Sequence, residues 1–263
     1  MDYNKLFDMT GKVCIVTGGT GYLGCENVKA LKDFGATVVV ADLRESEKRW
    51  DGAQQYDYDL FVQTDVSSTE SMKNLFKTVA EKFGKIDVLV NCACYGKGYG
   101  KESQIEFMDD ETWKVGIEGT ILVTVRGIRE VIPYMKENGG GSIINYCSMY
   151  GIVSPDLRIY GDNPQKQPGN YGTGKGGVLQ LTRYAAGALA PYNIRVNAVT
   201  PGPFPNPANQ NDAAFNQQLA NKTMMGRFGV NHEMAGAVLL LASDASTFMT
   251  GTNIVVDGGW TAW

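Results

Sequence analysis

Seven short apolar segments alternate along the chain with longer segments of helical periodicity. The apolar segments are continuous, which is typical of strands that are buried on both faces of a parallel sheet. Strands are predicted at Lys12–Thr17, Thr37–Ala41, Asp59–Thr64, Ile86–Asn91, Ser142–Cys147, Ile194–Val199 and Asn253–Val256. Helices are predicted at Tyr22–Phe34, Ser68–Phe83, Asp110–Glu137, Tyr171–Ala190 and His232–Ala242. This alternation predicts an α/β protein, doubly wound, with a parallel sheet of about seven strands and helices on both faces.

Length and charge narrow the class of protein further. A chain of 263 residues without a linker or repeat predicts one domain over 1–263, which would bury roughly three quarters of its unfolded surface. The 24 Lys and Arg residues stand against 28 Asp and Glu residues, with no basic cluster, so nucleic acid and anionic membrane are not predicted partners. The apolar runs are also shorter than the roughly 20 residues that a membrane helix needs.

Cysteine and histidine content limits the chemistry. Five cysteines, an odd number, with no secretory signal after Met1, predict reduced thiols in a cytoplasmic protein. The single histidine, His232, argues against a histidine-based metal site and against a Ser-His-Asp triad. Cys92 and Cys94 have no second pair to complete a zinc site. We therefore expect no metal and no triad hydrolase.

A glycine-rich loop follows the first predicted strand and precedes the first predicted helix. Thr17, Gly18, Gly21 and Gly24 form the pattern TGxxGxxG. Glycines at this spacing let the backbone turn sharply and approach a pyrophosphate, which then meets the N–H groups at the start of the helix. A loop in this context predicts a dinucleotide-binding Rossmann fold.

Asp42 ends the second predicted strand. It lies about 20 residues beyond the loop, where a carboxylate can accept hydrogen bonds from the adenosine ribose hydroxyls. A 2′-phosphate would meet this negative charge directly, so the sequence favours NAD over NADP. Arg44, two residues later, keeps use of NADP open.

Tyr171 and Lys175 are four residues apart in a predicted helix, so both side chains project from one face. Tyrosine, with an ordinary pKa near 10, is a poor base at neutral pH. A nearby ammonium, together with the positive nicotinamide ring of an oxidised cofactor, would lower that pKa. Tyr171 could then remove the proton of an alcohol while hydride leaves the same carbon, or protonate an alkoxide in reverse. The pair taken alone also fits an ordinary surface helix.

Further motifs occur in a fixed order along the chain. After the glycine-rich loop they are Asp65-Val66, Asn91-Cys92-Ala93, Ser148, the Tyr171 to Lys175 pair, Pro201-Gly202 and the ending Met249–Gly259. In this order and spacing the chain resembles the short-chain dehydrogenase/reductase family over essentially its whole length. The resemblance implies an NAD(P)-dependent oxidoreductase in which Ser148 binds the substrate oxygen and Lys175 also binds the nicotinamide ribose.

The same resemblance implies the binding sites and the assembly. The implied cofactor-binding residues are Gly18, Thr20, Gly21, Tyr22, Leu23, Gly24, Asp42, Asp65, Val66, Asn91, Ala93, Tyr171, Lys175, Gly202 and Phe204. The implied substrate site is built from loops 91–100, 148–171 and 201–225, and relatives are commonly homotetramers or homodimers. Trp260 and Trp263 could cover a neighbouring subunit or form an ordinary exposed terminus.

Three positions depart from the family pattern. Tyr22 stands where this branch usually has glycine, and Thr120 stands where the family has a helix asparagine that anchors a proton-relay water. Thr120 therefore puts the relay in doubt but not the hydride transfer. Ser148 and Tyr171 are 23 residues apart, against about a dozen in the family. The extra segment, residues 154–170, is either a tolerated surface loop or a substrate wall.

The substrate wall would offer Arg158, Tyr160 and Lys166 to a polar or anionic substrate. The proline-rich segment Pro201–Pro207, within the irregular stretch Pro201–Asn211, is predicted to be a lid over nicotinamide and substrate, or else a rigid coil. Relatives with a lid similar to Pro201–Phe204 and an ending similar to Asp257–Trp260 suggest a small-molecule substrate of the sugar, sugar acid or polyol class. The sequence thus predicts an NAD-dependent oxidoreductase that interconverts a secondary alcohol and a ketone.

Three alternatives stay open at this point. The same chemistry could act on a steroid, a bile acid or an acyl ketone. A nucleotide-sugar epimerase or dehydratase would explain the glycine pattern, although such relatives carry additional C-terminal residues. A non-enzymatic, NAD-binding redox sensor would need the glycine-rich loop, but not Ser148, Tyr171 and Lys175 together.

Overall fold

Seven parallel strands form one sheet, in the order β3-β2-β1-β4-β5-β6-β7. The computed structural model describes residues 3–46, 56–98, 100–162, 166–207 and 212–263. The strands are β1 Val13–Thr17, β2 Thr37–Asp42, β3 Leu60–Gln63, β4 Val88–Asn91, β5 Gly141–Tyr146, β6 Ile194–Pro201 and β7 Asn253–Val256. The predicted seven-stranded parallel sheet is confirmed.

Helices cover both faces of this sheet, as predicted. They are α1 Gly24–Asp33, α2 Thr69–Phe83, α3 Asp110–Ile117, α4 Val123–Glu137, α5 Gly169–Leu189, α6 Ala213–Asn221 and α7 Ala235–Ala242. Apolar side chains of α2, α4 and α5 pack on one face, and those of α1 and α7 pack on the other. Each fully buried aliphatic side chain contributes about 1.5–3 kcal/mol, so the two cores hold the sheet between helical layers.

The sheet order places a crevice at the carboxyl ends of β1 and β4. After β1 the chain moves outward to β2 and β3, then returns to the opposite side of β1 at β4. The connections therefore leave β1 and β4 in opposite directions, and a gap opens between them. In open α/β sheets, ligands bind at this kind of topological switch point.

The helix predicted over Asp110–Glu137 is interrupted. A π turn at Glu118–Leu122 separates α3 from α4. The Gly119 carbonyl accepts from the Tyr95 N–H at 3.0 Å, a partner outside the helix. The Thr120 hydroxyl donates to the Gly116 carbonyl at 2.7 Å. Such a turn inserts one residue into the helical register, which hydrophobic periodicity alone does not reveal.

Helix α6 was not predicted from the sequence. It contains four side-chain amides in nine residues, so its apolar periodicity is weak. Its start is capped by Asp212, whose carboxylate accepts from the Phe215 N–H at 2.9 Å, and its apolar side packs against the 154–170 segment. The predicted lid, Pro201–Pro207, lies within the described residues, whereas residues 208–211 of the same irregular stretch lie outside them.

None of the helices in the described part of the chain has both the length and the apolar character needed to cross a membrane.

Candidate active site

A cleft of about 800 Å³ opens at the carboxyl ends of β1, β2 and β4. The glycine-rich loop forms one side, Asp42 and Leu43 form one end, and the residues after β4 form the other side. This volume lies within the range of about 300–1,000 Å³ that is usual for cofactor sites. The cleft is therefore large enough for a dinucleotide.

The glycine-rich loop has the backbone geometry that a pyrophosphate site requires. Gly18 has a φ of +68°, and a Cβ atom there would lie 2.9 Å from the Cα of Ala93. A Cβ atom at Gly24 would lie 2.0 Å from the Gly18 carbonyl oxygen. A side chain at Gly18 would thus push the loop away from the segment after β4, and one at Gly24 would push the loop away from the start of α1. With glycine there, backbone N–H groups at the start of α1 could hold the phosphates.

Asp42 anchors the other end of the cleft. One carboxylate oxygen accepts from the Thr20 N–H at 3.1 Å and from the Thr20 hydroxyl at 2.6 Å. The other oxygen accepts from the Leu43 N–H at 2.8 Å. A carboxylate offers roughly four acceptor positions, so a bidentate bond to ribose would displace the Thr20 hydroxyl. Asp42 therefore both orders the loop and presents negative charge at this end.

Ser148, Tyr171 and Lys175 lie together although Ser148 and Tyr171 are 23 residues apart in the sequence. The Ser148 hydroxyl lies close enough to Tyr171 to lower the pKa of its phenol, and the Ser148 oxygen accepts from the Tyr150 N–H at 3.2 Å. The Lys175 ammonium donates to the Tyr146 carbonyl at 2.7 Å and lies 5.7 Å from the centre of the Tyr171 ring. Ser148 and Lys175 are buried. A hydroxyl, a phenol and a buried ammonium in this arrangement can exchange a proton with a substrate oxygen.

The 154–170 segment packs against α6 and against the chain end. Asp156 accepts from the Arg158 guanidinium at 2.8 Å and forms an ion pair with Lys222 at 2.7 Å. The Tyr160 ring lies 5.0 Å from that of Phe215 in α6. Residues 163–165 of this segment lie outside the described residues.

Trp260 and Trp263 take different positions. Trp260 is buried against the ring of Tyr150 at 6.2 Å, within its own chain. Trp263 is exposed, and its indole N–H donates to the Lys222 carbonyl at 3.2 Å. Only Trp263 thus leaves its ring available to a neighbouring subunit.

Comparison with known proteins agrees with this geometry. A family model described as enoyl-(acyl carrier protein) reductase matches residues 22–261. The trans-4-hydroxycyclohexanecarboxylate dehydrogenase of Sinomonas cyclohexanicum is 35% identical, over 95% of this chain and 93% of that protein. The chain belongs to the short-chain dehydrogenase/reductase family. As a member of this family it is an oxidoreductase, and the predicted resemblance is confirmed.

Two further relatives bear on the cofactor of this short-chain dehydrogenase/reductase. The NADP-dependent (R)-specific alcohol dehydrogenase of Lentilactobacillus kefiri is 35% identical, over 97% of this chain and 98% of that protein. A short chain dehydrogenase from Leptospira borgpetersenii serovar Hardjo-bovis, solved with bound NAD+, is 28% identical with a TM-score of 0.85. That comparison covers 99% of this chain and 97% of the other. The family uses NAD(P), and both forms occur among these relatives.

Most of the predicted cofactor residues line the cleft of this short-chain dehydrogenase/reductase. Those that do are Gly18, Thr20, Gly21, Tyr22, Leu23, Gly24, Asp42, Asp65, Val66, Ala93 and Phe204. The Asn91 amide instead donates to the Asn145 side chain at 2.9 Å in the core. Gly202 packs against the chain end, where a Cβ atom would lie 2.5 Å from the Cα of Asp257. Their roles toward the cofactor remain predictions.

The two predicted substrate residues are placed differently. The Tyr160 hydroxyl lies 3.5 Å from the Tyr150 hydroxyl. Tyr150 belongs to the apolar cluster against which the Tyr171 ring packs, so Tyr160 lies near the reacting group. The Arg158 side chain is 88% exposed and is paired with Asp156. Its predicted role toward an anionic substrate would require that pairing to loosen.

Several cleft residues were missed from the sequence. Cys94, Tyr95 and Glu118 also line the cleft. Cys94 and Tyr95 directly follow Ala93, so their position in the motif was the available signal. The position of Glu118 in the cleft depends on the π turn, and no motif in the sequence indicated it. In the described residues, no group of three His, Cys, Asp or Glu side chains lies close enough to hold a metal ion.

Burial and charge act in opposite directions on Tyr171. Burial raises the pKa of Tyr171 above its ordinary value, while the Lys175 ammonium and the hydrogen bond to Ser148 lower it. The net direction is upward. For Lys175, burial lowers the pKa, but the negative charge of ionised Tyr171 and of nearby thiolates raises it, so the net direction is again upward. At neutral pH the pair is therefore a phenol beside an ammonium.

We expect the two reaction directions to depend oppositely on pH. Oxidation needs Tyr171 as a base, so kcat/KM for an alcohol should increase with pH up to the raised pKa of Tyr171, by up to tenfold per unit. Reduction needs the phenol and should be retained at lower pH and decline above that pKa. Measuring both profiles tests this, with Tyr184→Phe as a control, because Tyr184 is 73% exposed on the same helix. A flat oxidation profile between about pH 6 and pH 9 would contradict the assignment.

Proposed function

We propose that this protein is an NAD-dependent dehydrogenase that interconverts a secondary alcohol and a ketone, on a sugar, sugar acid or polyol. The observation that carries the proposal is the placement of the Ser148 hydroxyl beside Tyr171, with the buried Lys175 ammonium 5.7 Å from the centre of the Tyr171 ring. Together with a cleft of dinucleotide size, this supports proton exchange at an alcohol oxygen next to a nicotinamide.

Each of the three side chains has a distinct role in this proposal. NAD+ would supply the acceptor for the hydride when it is bound. Tyr171, as phenolate, takes the proton from the substrate hydroxyl, and Ser148 orients the same oxygen by a hydrogen bond. Lys175 stabilises the phenolate, and each unit of lowered pKa corresponds to about 1.4 kcal/mol. In the reverse direction Tyr171 returns the proton to the alkoxide.

The cofactor would lie along the cleft. Backbone N–H groups of the loop between Gly18 and Gly24 face the pyrophosphate position, and Asp65 and Val66 border the adenine end beside Asp42. Lys175 would bind the nicotinamide ribose. Asn91 would act through its backbone, because its side-chain amide is hydrogen-bonded to Asn145 in the core. Gly202, which is closely packed against Asp257, would also contribute backbone groups only.

Asp42 leads us to expect that NADH binds at least about tenfold more tightly than NADPH, a difference of about 1.4 kcal/mol. A 2′-phosphate would meet the Asp42 carboxylate and lose the ribose contact. Fluorescence titration of both cofactors measures this preference. Asp42→Ala should reduce it, whereas the surface change Asp33→Asn should leave it intact. Equal affinities in the unchanged protein would remove Asp42 from this role.

The alternative substrate class is supported by one specific observation. Tyr150, Tyr160 and Trp260 belong to an apolar cluster that also contacts the Tyr171 ring. Apolar surroundings of the Tyr171 ring suit a steroid or an acyl ketone at least as well as a polyol. This cluster therefore favours testing the alternative class beside the sugars and polyols.

A screen for NADH formation tests the proposed function. It would cover sugars, sugar acids, polyols, cycloalkanols, sterols and hydroxyacyl compounds. We expect the highest kcat/KM for a secondary alcohol with several hydroxyl groups. A preference for sterols or hydroxyacyl compounds would support the alternative class. Tight NADH binding without turnover of any alcohol would instead support a redox-sensing regulator.

We also propose that the protein is a homodimer or homotetramer in the cytoplasm. Large apolar side chains that are exposed in the described residues include Tyr184, Phe248 and Trp263. The Trp263 ring would be available to a second subunit, where an aromatic side chain can bury roughly 150–250 Å². Light scattering after size-exclusion chromatography measures the mass, and a monomer at micromolar concentration would exclude this assembly.

A further inference from the structure

We propose that Thr120 is a positioning residue for Lys175 and that it works as one half of a matched pair with Gly174. This inference rests on the proposed roles of Tyr171 and Lys175. It concerns the position where the chain departs from its family's helix asparagine, and it gives Thr120 a steric role instead of a place in a proton relay.

The pair fits together where α5 crosses the π turn. A Cβ atom at Gly174 would lie 1.8 Å from the Thr120 hydroxyl oxygen and 2.8 Å from the Thr120 Cβ. Both residues are buried, and Thr120 is only 1% exposed. The Thr120 side chain thus occupies the volume that any other residue at position 174 would need.

Thr120 is itself held in place. Its hydroxyl donates to the Gly116 carbonyl at 2.7 Å, and its carbonyl accepts from the Thr124 hydroxyl at 3.1 Å. A Cβ atom at Gly119 would lie 2.1 Å from the Tyr95 carbonyl oxygen, so the segment after β4 is also packed closely against the π turn. Since the only hydroxyl hydrogen of Thr120 points back into its own helix, this side chain is suited to fix distance and not to carry a proton.

The opposite side of α5 is confined as well. A Cβ atom at Gly151 would lie 2.9 Å from the Lys175 carbonyl oxygen, and the Cys147 thiol donates to that oxygen at 3.2 Å. The backbone at 174–175 is therefore held between Thr120 and the loop that carries Ser148. The position of this backbone therefore determines whether the Lys175 ammonium can contact the Tyr146 carbonyl. It also determines how close Tyr171, one turn earlier, lies to Ser148.

Gly174→Ala tests the pair. The added methyl should move α5 away from the π turn and lower kcat for alcohol oxidation by at least about tenfold, because a shift of about 1 Å at a catalytic group can cost 10²-fold. KM should change less. The matched control is Gly187→Ala on the same helix, where a Cβ atom meets nothing within 4 Å; its kcat should be unchanged.

A titration distinguishes positioning from loss of fold and needs no substrate. Tyr171 ionisation is followed by ultraviolet absorbance, as the difference between each variant and the same variant carrying Tyr171→Phe. The groups that face Tyr171 are Lys175, Ser148, Cys94, Cys147 and Tyr150, and within the described part of the chain only Lys175 supplies positive charge there. Gly174→Ala should therefore raise the pKa of Tyr171, and Gly187→Ala should not.

Rescue provides the decisive comparison. In Thr120→Gly/Gly174→Ala the methyl regains its space, so kcat and the Tyr171 pKa should return most of the way to those of the unchanged protein. Thr120→Ser keeps the hydroxyl, so its kcat and its Tyr171 pKa should stay close to those of the unchanged protein. An unaltered titration in Gly174→Ala, or losses in the double variant that simply add, would overturn the proposal. If the unchanged protein oxidises no alcohol, the proposed function fails, and the titration still decides whether residues 120 and 174 set the Tyr171 pKa.

Discussion

Replacing Tyr171 by phenylalanine should lower kcat for alcohol oxidation by about 10²-fold or more and leave the dissociation constant of NADH nearly unchanged. The substitution removes only the hydroxyl that exchanges the proton. The ring stays packed against the cluster around Tyr150 and Trp260, so the fold of the site is kept. Steady-state kinetics and fluorescence titration of NADH measure the two effects separately.

Two comparisons make this result specific. Tyr184→Phe, on the exposed side of α5, should leave kcat unchanged. Lys175→Ala should impair both turnover and NADH binding, since the same ammonium acts on Tyr171 and would hold the ribose. Near-normal turnover in Tyr171→Phe would show that another group is the acid and base.

Gly24→Ala should weaken NADH binding by at least roughly 100-fold, equivalent to about 2.7 kcal/mol. The added methyl would lie 2.0 Å from the Gly18 carbonyl oxygen, and neither atom belongs to a flexible side chain that could move aside. The loop must then separate from the start of α1, and the backbone N–H groups no longer converge on one phosphate. Titration with NADH, with thermal unfolding as a check on folding, measures this.

The control for Gly24 is Gly236→Ala in α7. A Cβ atom at Gly236 has no neighbour within 4 Å. Gly236→Ala adds the same methyl group as Gly24→Ala, but NADH binding should be unaffected. An unchanged dissociation constant in Gly24→Ala would mean that the loop does not hold the pyrophosphate.

Much of the fold could be predicted because its signals are local. Continuous apolar runs such as Cys14–Val16 and Val38–Ala41 identify strands that are buried on both faces, and parallel strands require helical crossovers of one hand. Glycine at 18 and 24 is likewise explained by a backbone that must turn and approach closely within a few residues. Order and spacing of the motifs then predicted which side chains would meet at the carboxyl edge of the sheet.

Other features were decided by contacts between distant segments, and no local pattern encodes those. In the π turn, the Gly119 carbonyl accepts a hydrogen bond from the N–H of Tyr95, which lies in the segment after β4. Trp260 packs on Tyr150, although its place at the chain end suggested an outward role. Asp156, which forms an ion pair with Arg158, is also paired with Lys222 in a distant segment.

The candidate active site combines both kinds of information. Local sequence patterns were sufficient to predict the fold class, the glycine-rich loop and the proposed roles of Ser148, Tyr171 and Lys175. Contacts in the folded chain establish that burial outweighs the Lys175 charge in setting the direction of the Tyr171 pKa, and that Thr120 fills the space above Gly174. Burial and steric fit depend on which residues surround a group in three dimensions, and those neighbours come from segments far apart in the chain.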